Sequence, residues 1–140
     1  MYAIKHLFHI NASFEKVYDA ITTIDGLKSW WTPQTTGSSE IGNVLEFRFG
    51  GTILCFMQVI SKAPNTYLEW ECVNGHLDWI GTQIIFQLDD HEDMIRIRFE
   101  HSGWKDANDF FGQCNFAWGR YMESLRLYCE TGEGKPFKKE

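Results

Sequence analysis

Two histidines and an unusual density of aromatic rings are the residues here whose types and spacing could do chemistry. His6 and His101 occupy alternate positions of strand-like patterns, Ile4-His6-Phe8-Ile10 and Ile95-Ile97-Phe99-His101, so both are expected to point inward. An imidazole so placed, with an ordinary pKa of about 6.5, could orient a ligand carbonyl or act as acid or base. The plainer role is a core histidine bonded to a backbone group or water. His6, Cys72 and His101 would form a metal set only if they converged. They lack the close ligand spacing of a zinc site, so neither metal nor cofactor is expected. Aromatics are 16% of the residues, with six Trp and eleven Phe, which favours an interior cavity as well as packing. Candidates to line it are Trp30, Trp31, Phe47, Phe56, Trp70, Trp79, Phe86, Phe99, Trp104, Phe111, Trp118 and Tyr121. Most must be core, and a flat apolar ligand stacked on a few of them is the sharper alternative.

Other constellations read as structure. Asp89, Asp90, Glu92 and Asp93 suit a solvated hairpin tip, because the alternating ligands and central Gly of a calcium loop are missing. Gly50-Gly51 is turn chemistry. No Ser, His and acid arrangement, phosphate-cradling loop or HExxH is found. The formal net charge is −6 and the one basic run is short, Lys135 to Lys139, so a phosphate backbone would be repelled and nucleic acid is not an expected partner. The first residues alternate like a strand and lack the apolar stretch of a signal peptide. No segment reaches membrane-spanning length. Cys55, Cys72, Cys114 and Cys129 are widely spaced within apolar patterns and read as reduced core residues of a cytoplasmic protein.

The elements that must position these residues follow from periodicity. Tyr2 to Ile10 alternates as a half-buried strand. Ser13 can cap a helix that carries Phe14, Val17, Tyr18 and Ile21 on one face, and Asp25 to Trp31 forms a second short helix stopped by Pro33. Of the adjacent Trp30 and Trp31, one is expected to be buried and the other to sit at the mouth of whatever the helices cover. Thr35 to Gly42 is polar and turn-rich, a loop. Strand faces then recur at Leu45-Phe47-Phe49, Thr52 to Ser61, Leu68-Trp70-Cys72, Thr82-Ile84-Phe86-Leu88 and Ile95-Ile97-Phe99-His101, joined by tight turns that impose antiparallel pairing.

The longest periodic segment closes the chain. From Asp106 to Glu130, Ala107, Phe111, Cys114, Trp118, Tyr121, Leu125 and Tyr128 form one stripe, widened by Phe110, Ala117 and Met122. Asp106 offers a cap, Gly132 a left-handed terminus and Pro136 a block to resumption. An antiparallel sheet with one wet face must bury the other, and this helix alone is long and apolar enough to cover it. One α+β domain over residues 1–140 is therefore expected.

This order resembles the helix-grip fold of the START and SRPBCC superfamily, in which a curved antiparallel sheet wraps a long C-terminal helix. The branch it is most similar to is that of homologues of the activator of the heat-shock chaperone ATPase. The residues carrying the resemblance are Ile10 to Tyr18, Ala20-Ile21-Thr22, Leu27 with Trp30-Trp31-Thr32, Val59, Leu68 with Trp70, and Gly81-Thr82 before Ile84 and Phe86. Phe99 with His101 to Trp104, Trp118 with Ser124-Leu125, and Glu130 to Gly132 complete it. The resemblance implies a cavity between sheet and helix, used across the superfamily for lipids, sterols, polyketides and hormones, and in some members for cyclase chemistry. Co-chaperones of the branch act by touching a chaperone; the separate amino-terminal domain they carry has no counterpart in this sequence. The expected function is binding of a small apolar or amphipathic molecule without turnover. A cyclase or hydrolase using His6 or His101, and an interaction domain with a filled interior and a chaperone or homodimer partner, are the alternatives. A cavity of about 300 Å³ or more separates the binding reading from the interaction reading.

Overall fold

The computed structural model describes residues 1–138. Its chain order is β1 (Tyr2–Ile10), α1 (Phe14–Thr22), α2 (Ile24–Trp30), β2 (Gln34–Gly37), β3 (Val44–Arg48), β4 (Leu54–Ala63), β5 (Tyr67–Asn74), β6 (Gln83–His91), β7 (Met94–Trp104) and α3 (Asp109–Thr131). The strands form one seven-stranded antiparallel sheet in the order β1-β7-β6-β5-β4-β3-β2. Six strands thus run as a meander, and only β1 returns from the start of the chain to close the other edge beside β7. The alternation works as read: Leu68, Trp70, Cys72, Ile84, Phe86, Leu88, Ile95, Ile97, Phe99 and His101 are all buried. Helix α3 covers this concave face, with α1 and α2 filling its open end.

Four local details differ from the sequence reading. Gln34–Gly37 is not loop but a short strand paired with β3, and the buried Thr35 donates its hydroxyl proton to the Thr32 carbonyl at 2.7 Å. A polar edge strand is stable here because its threonine side chain is satisfied locally. Helix α3 starts later than expected: Asn108, not Asp106, is the cap, its Oδ1 accepting from the Phe111 N–H at 3.0 Å. Strand β7 runs on to Trp104, so the chain needs the intervening residues to turn before a helix can begin. Asp89 and Asp90 lie within β6, and the turn itself is Glu92-Asp93, both with positive φ. There Asp89 holds Arg96 and Arg98 across the ladder, Oδ2 to Nη2 of Arg96 at 2.7 Å.

The fourth concerns the tryptophan pair. Trp30 and Trp31 are both buried, at 0% and 2% exposure, with rings stacked 5.9 Å apart. Neighbouring side chains on a helix diverge, but α2 is wedged between the sheet, α1 and α3, so core lies on more than one side of it. Trp30 donates its indole proton to the Ala20 carbonyl at 2.7 Å, while Trp31 packs on Phe47 and Trp118 with centroids 4.3 and 5.0 Å away.

As expected, Gly132 ends α3 in the left-handed conformation, at φ 87°. The chain then folds back: the Lys135 N–H donates to Ser124 Oγ at 2.7 Å, Ser124 donates to the Trp30 carbonyl at 2.8 Å, and the Phe137 N–H donates to the Trp31 carbonyl at 2.7 Å. The four cysteines are free and buried. Among the described residues no helix is long and apolar enough to cross a membrane.

Candidate functional site

His101 sits at the junction of β7, α3 and the turn before β6, with no solvent exposure. Its Nδ1 accepts from the Trp118 indole N–H at 3.1 Å, and its Nε2 lies 2.8 Å from Thr82 Oγ1. The Thr82 hydroxyl spends its one proton on the Trp79 carbonyl, so the hydrogen between Thr82 and His101 belongs to Nε2. Both ring nitrogens are thereby used by a neutral imidazole. Burial alone drives its pKa down to about 3. His101 is a core strut that joins the sheet to the helix.

The space it supports lies in front of it. Trp79 and Trp118, stacked 5.9 Å apart, form part of an open apolar cleft of about 170 Å³. Its walls come from four separate stretches. Helix α3 presents Phe110, Cys114, Ala117, Trp118 and Tyr121. The β3–β4 turn and the start of β4 supply Phe49, Ile53, Leu54 and Cys55. His76 and Trp79 come from the turn after β5, and Trp31 closes the floor from the end of α2. The spacing of Phe110, Cys114, Ala117 and Tyr121 places them along one flank of a helix.

Few groups here can react. Burial raises the Cys55 and Cys114 thiols, the first well above the ordinary value, and neither is a thiolate at neutral pH. The indole N–H of Trp79 points at Cys114 Sγ, 3.4 Å away. His76 Nδ1 accepts from the Asp78 N–H at 3.0 Å, and its ring stacks on Phe110 at 4.0 Å. These walls can exclude water and enclose one apolar group. Among the described residues no cluster of His, Cys, Asp or Glu could hold a metal ion.

Of the residues picked from sequence, Trp31, Trp79, Trp118 and Tyr121 line the cleft. Trp30, Phe47, Trp70, Phe86, Phe99 and Trp104 are filled core at 0–1% exposure, and His101 lies behind the cleft. Phe111 packs edge-on against Trp104 at 5.1 Å, beyond the cleft, and Phe56 faces outward beneath the Arg48 guanidinium. His6 does not meet His101: it is half-buried on edge strand β1 and faces Gly119 of α3. The histidine that does line the cleft, His76, sits in a turn with no face pattern to mark it. Phe110, Cys114 and Ala117 were legible as part of the helix stripe, but their share in a cleft was not. Trp70 and Trp104 bury indole N–H groups that find no acceptor among the described residues.

A curved antiparallel sheet gripping a long C-terminal helix over a filled aromatic core is the helix-grip α+β fold. The family described as Activator of Hsp90 ATPase homolog 1-like protein matches residues 11–130, and the chain belongs to that family. The solution structure of the Aha1 dimer from Colwellia psychrerythraea is 39% identical, with a TM-score of 0.87 over 96% of this chain and 100% of that one. A protein of Mesorhizobium loti shares the fold at 18% identity, TM-score 0.78, covering 90% of this chain and 95% of its own. One from Micromonospora echinospora does so at 14% identity and TM-score 0.77, covering 95% and 76% respectively. Among proteins with curated descriptions, none matches this chain.

Proposed function

We propose that this protein is a binding domain without turnover, whose cleft takes a single apolar group, either one ring of a small molecule or one side chain of a protein partner. The observation that carries this reading is the size and place of the cleft: about 170 Å³, open, and set at the end of an otherwise filled core. A cavity of about 150 Å³ with apolar walls is enough to hold benzene. Ligand pockets for larger molecules start at about 300 Å³, so a sterol or lipid fits this cleft poorly. A protein partner is favoured because Ile53, Leu77 and Ile80, at 67%, 84% and 44% exposure, extend the apolar surface past the rim. Given the family, a chaperone is the first partner to test, and a second copy is the next, since the Colwellia relative is described as a dimer. Catalysis by His101 has no geometric support, because both its nitrogens are engaged within the core. Four unpaired thiols accord with a reducing compartment such as the cytoplasm.

Benzene as a probe tests the cleft directly. Its addition should shift the Trp79 indole resonance and the Ala117 and Tyr121 amides in a ¹H–¹⁵N spectrum, and Ala117→Phe, which fills the space, should remove those shifts. Shifts absent from these residues, or unchanged in the variant, would overturn the reading.

A further inference from the structure

We infer that the cleft and its rim form a docking site for a peptide segment carrying one aromatic side chain flanked by lysine or arginine. This rests on the reading of the cleft as a site for one apolar group, and adds the chemistry of the partner. An anchor ring in a desolvated pocket, with complementary charges around it, is how small interfaces concentrate their affinity.

The charge at the end of the cleft nearest the start of α3 has one sign in excess. The turn that supplies His76 and Trp79 also carries Asp78, which accepts from Asn108 Nδ2 at 3.3 Å and so ties this turn to the start of α3. Asp106 and Asp109 flank Asn108 and are exposed, and Lys105 is the single cation on that stretch. On the opposite wall the turn from Phe49 to Ile53 has no charged residue. An extended peptide advances roughly 3.3 Å per residue, so cations one or two positions from an inserted ring fall over this rim.

The chain itself already sets one aromatic ring against the outside of these walls. Phe137 lies between Lys135 and Lys138, with Pro136 before it. Its N–H donates to the Trp31 carbonyl at 2.7 Å, and its ring meets Phe49 edge-on at 5.5 Å. Trp31 and Phe49 both line the cleft, so Phe137 already braces two of its walls from outside through its N–H and its ring. Lys139, the next basic residue in sequence, lies outside the described residues.

Three capped synthetic peptides test the inference: a central Phe with two lysines on each side, the same peptide with glutamates, and the lysine peptide with Ala at its centre. Titrated at low salt and followed by the Trp79 indole resonance, the first should bind at least about tenfold more tightly than either control. Raising salt to about 1 M should remove most of its advantage over the glutamate peptide. Ala117→Phe should abolish the response, and Asp106→Asn with Asp109→Asn, both exposed, should weaken the lysine–Phe peptide several-fold while leaving benzene shifts intact. If the lysine and glutamate peptides bind alike while benzene still shifts Trp79, the inference falls and the cleft reading stands. Equal binding of the Phe and Ala lysine peptides means bare charge attraction and also overturns it. Failure of benzene removes both.

Discussion

Trp118 joins the sealed core to the cleft. It is 2% exposed, bonds His101, and packs on Phe99 behind and on Trp31 and Trp79 at the cleft. Trp118→Ala should cost about 3–5 kcal/mol, the range for a large buried aromatic. Arg120→Ala, on the exposed side of the same helix, should change little; equal melting temperatures for the two variants would contradict the facing of α3. His101 adds a pH dependence whose sign follows from its burial. Unfolded, it takes up a proton below about 6.5; folded, it stays neutral down to about 3. Its contribution is therefore whole above the unfolded value and fades as pH falls toward the folded one, at about 1.4 kcal/mol per pH unit. Urea unfolding at pH 7 and pH 5 should show a loss larger by about 2 kcal/mol in the native protein than in His101→Phe. That variant should also be less stable at pH 7 by about 1–3 kcal/mol, because the Trp118 N–H loses its acceptor. Identical pH dependence in the two proteins would show that His101 is not held neutral.

Helix α3 and the tail after it act together. Ser124 is a buried polar residue on an apolar face, and its hydroxyl both donates to α2 and accepts from Lys135. Gly134 passes so close that a Cβ there would lie 2.6 Å from the Ser29 carbonyl oxygen and 3.0 Å from that of Ser124, both fixed backbone atoms. Gly134→Ala should therefore lift the tail from α2, at a cost of roughly 1–3 kcal/mol, the range for overpacking. Hydrogen exchange at the Lys135 and Phe137 amides should accelerate together. Unchanged protection at both would mean that the tail is not a strap. Because Phe137 touches Phe49, a wall of the cleft, the same variant is expected to loosen the cleft without altering its lining.

Across the whole molecule the aromatic core is continuous. Trp31, Phe47, Trp70, Phe86, Phe99 and Trp118 follow one another with ring centroids 4.3 to 5.6 Å apart. This chain of contacts joins α2, four strands and α3, and leaves no seam along which the fold could open in stages. We therefore expect a single calorimetric transition with an enthalpy of about 100 kcal/mol near 60 °C, as one cooperative domain of this length should give. Two resolved transitions, or a van't Hoff enthalpy well below the calorimetric one, would contradict it.

Periodicity determined a good deal by itself. Alternation at Leu68-Trp70-Cys72 and Ile95-Ile97-Phe99-His101 assigned the inner face of the sheet. The stripe through Trp118 and Leu125 assigned the buried side of α3, and Gly132 marked its end. These signals are local, since a residue's side of a strand or helix depends only on its neighbours in the chain. Tertiary structure alone decided depth. Phe86 and Trp79 both read as inward or aromatic, yet one is sealed in the core and the other bounds open space. The difference depends on how α3, the β3–β4 turn and the turn after β5 fit together. His76, Ile53 and Leu54 joined the cleft from turns and strand ends, where no period exists to report a facing. The adjacent Trp30 and Trp31 were both buried because α2 has core on more than one side, and which neighbours surround a short helix is not written in its own seven residues.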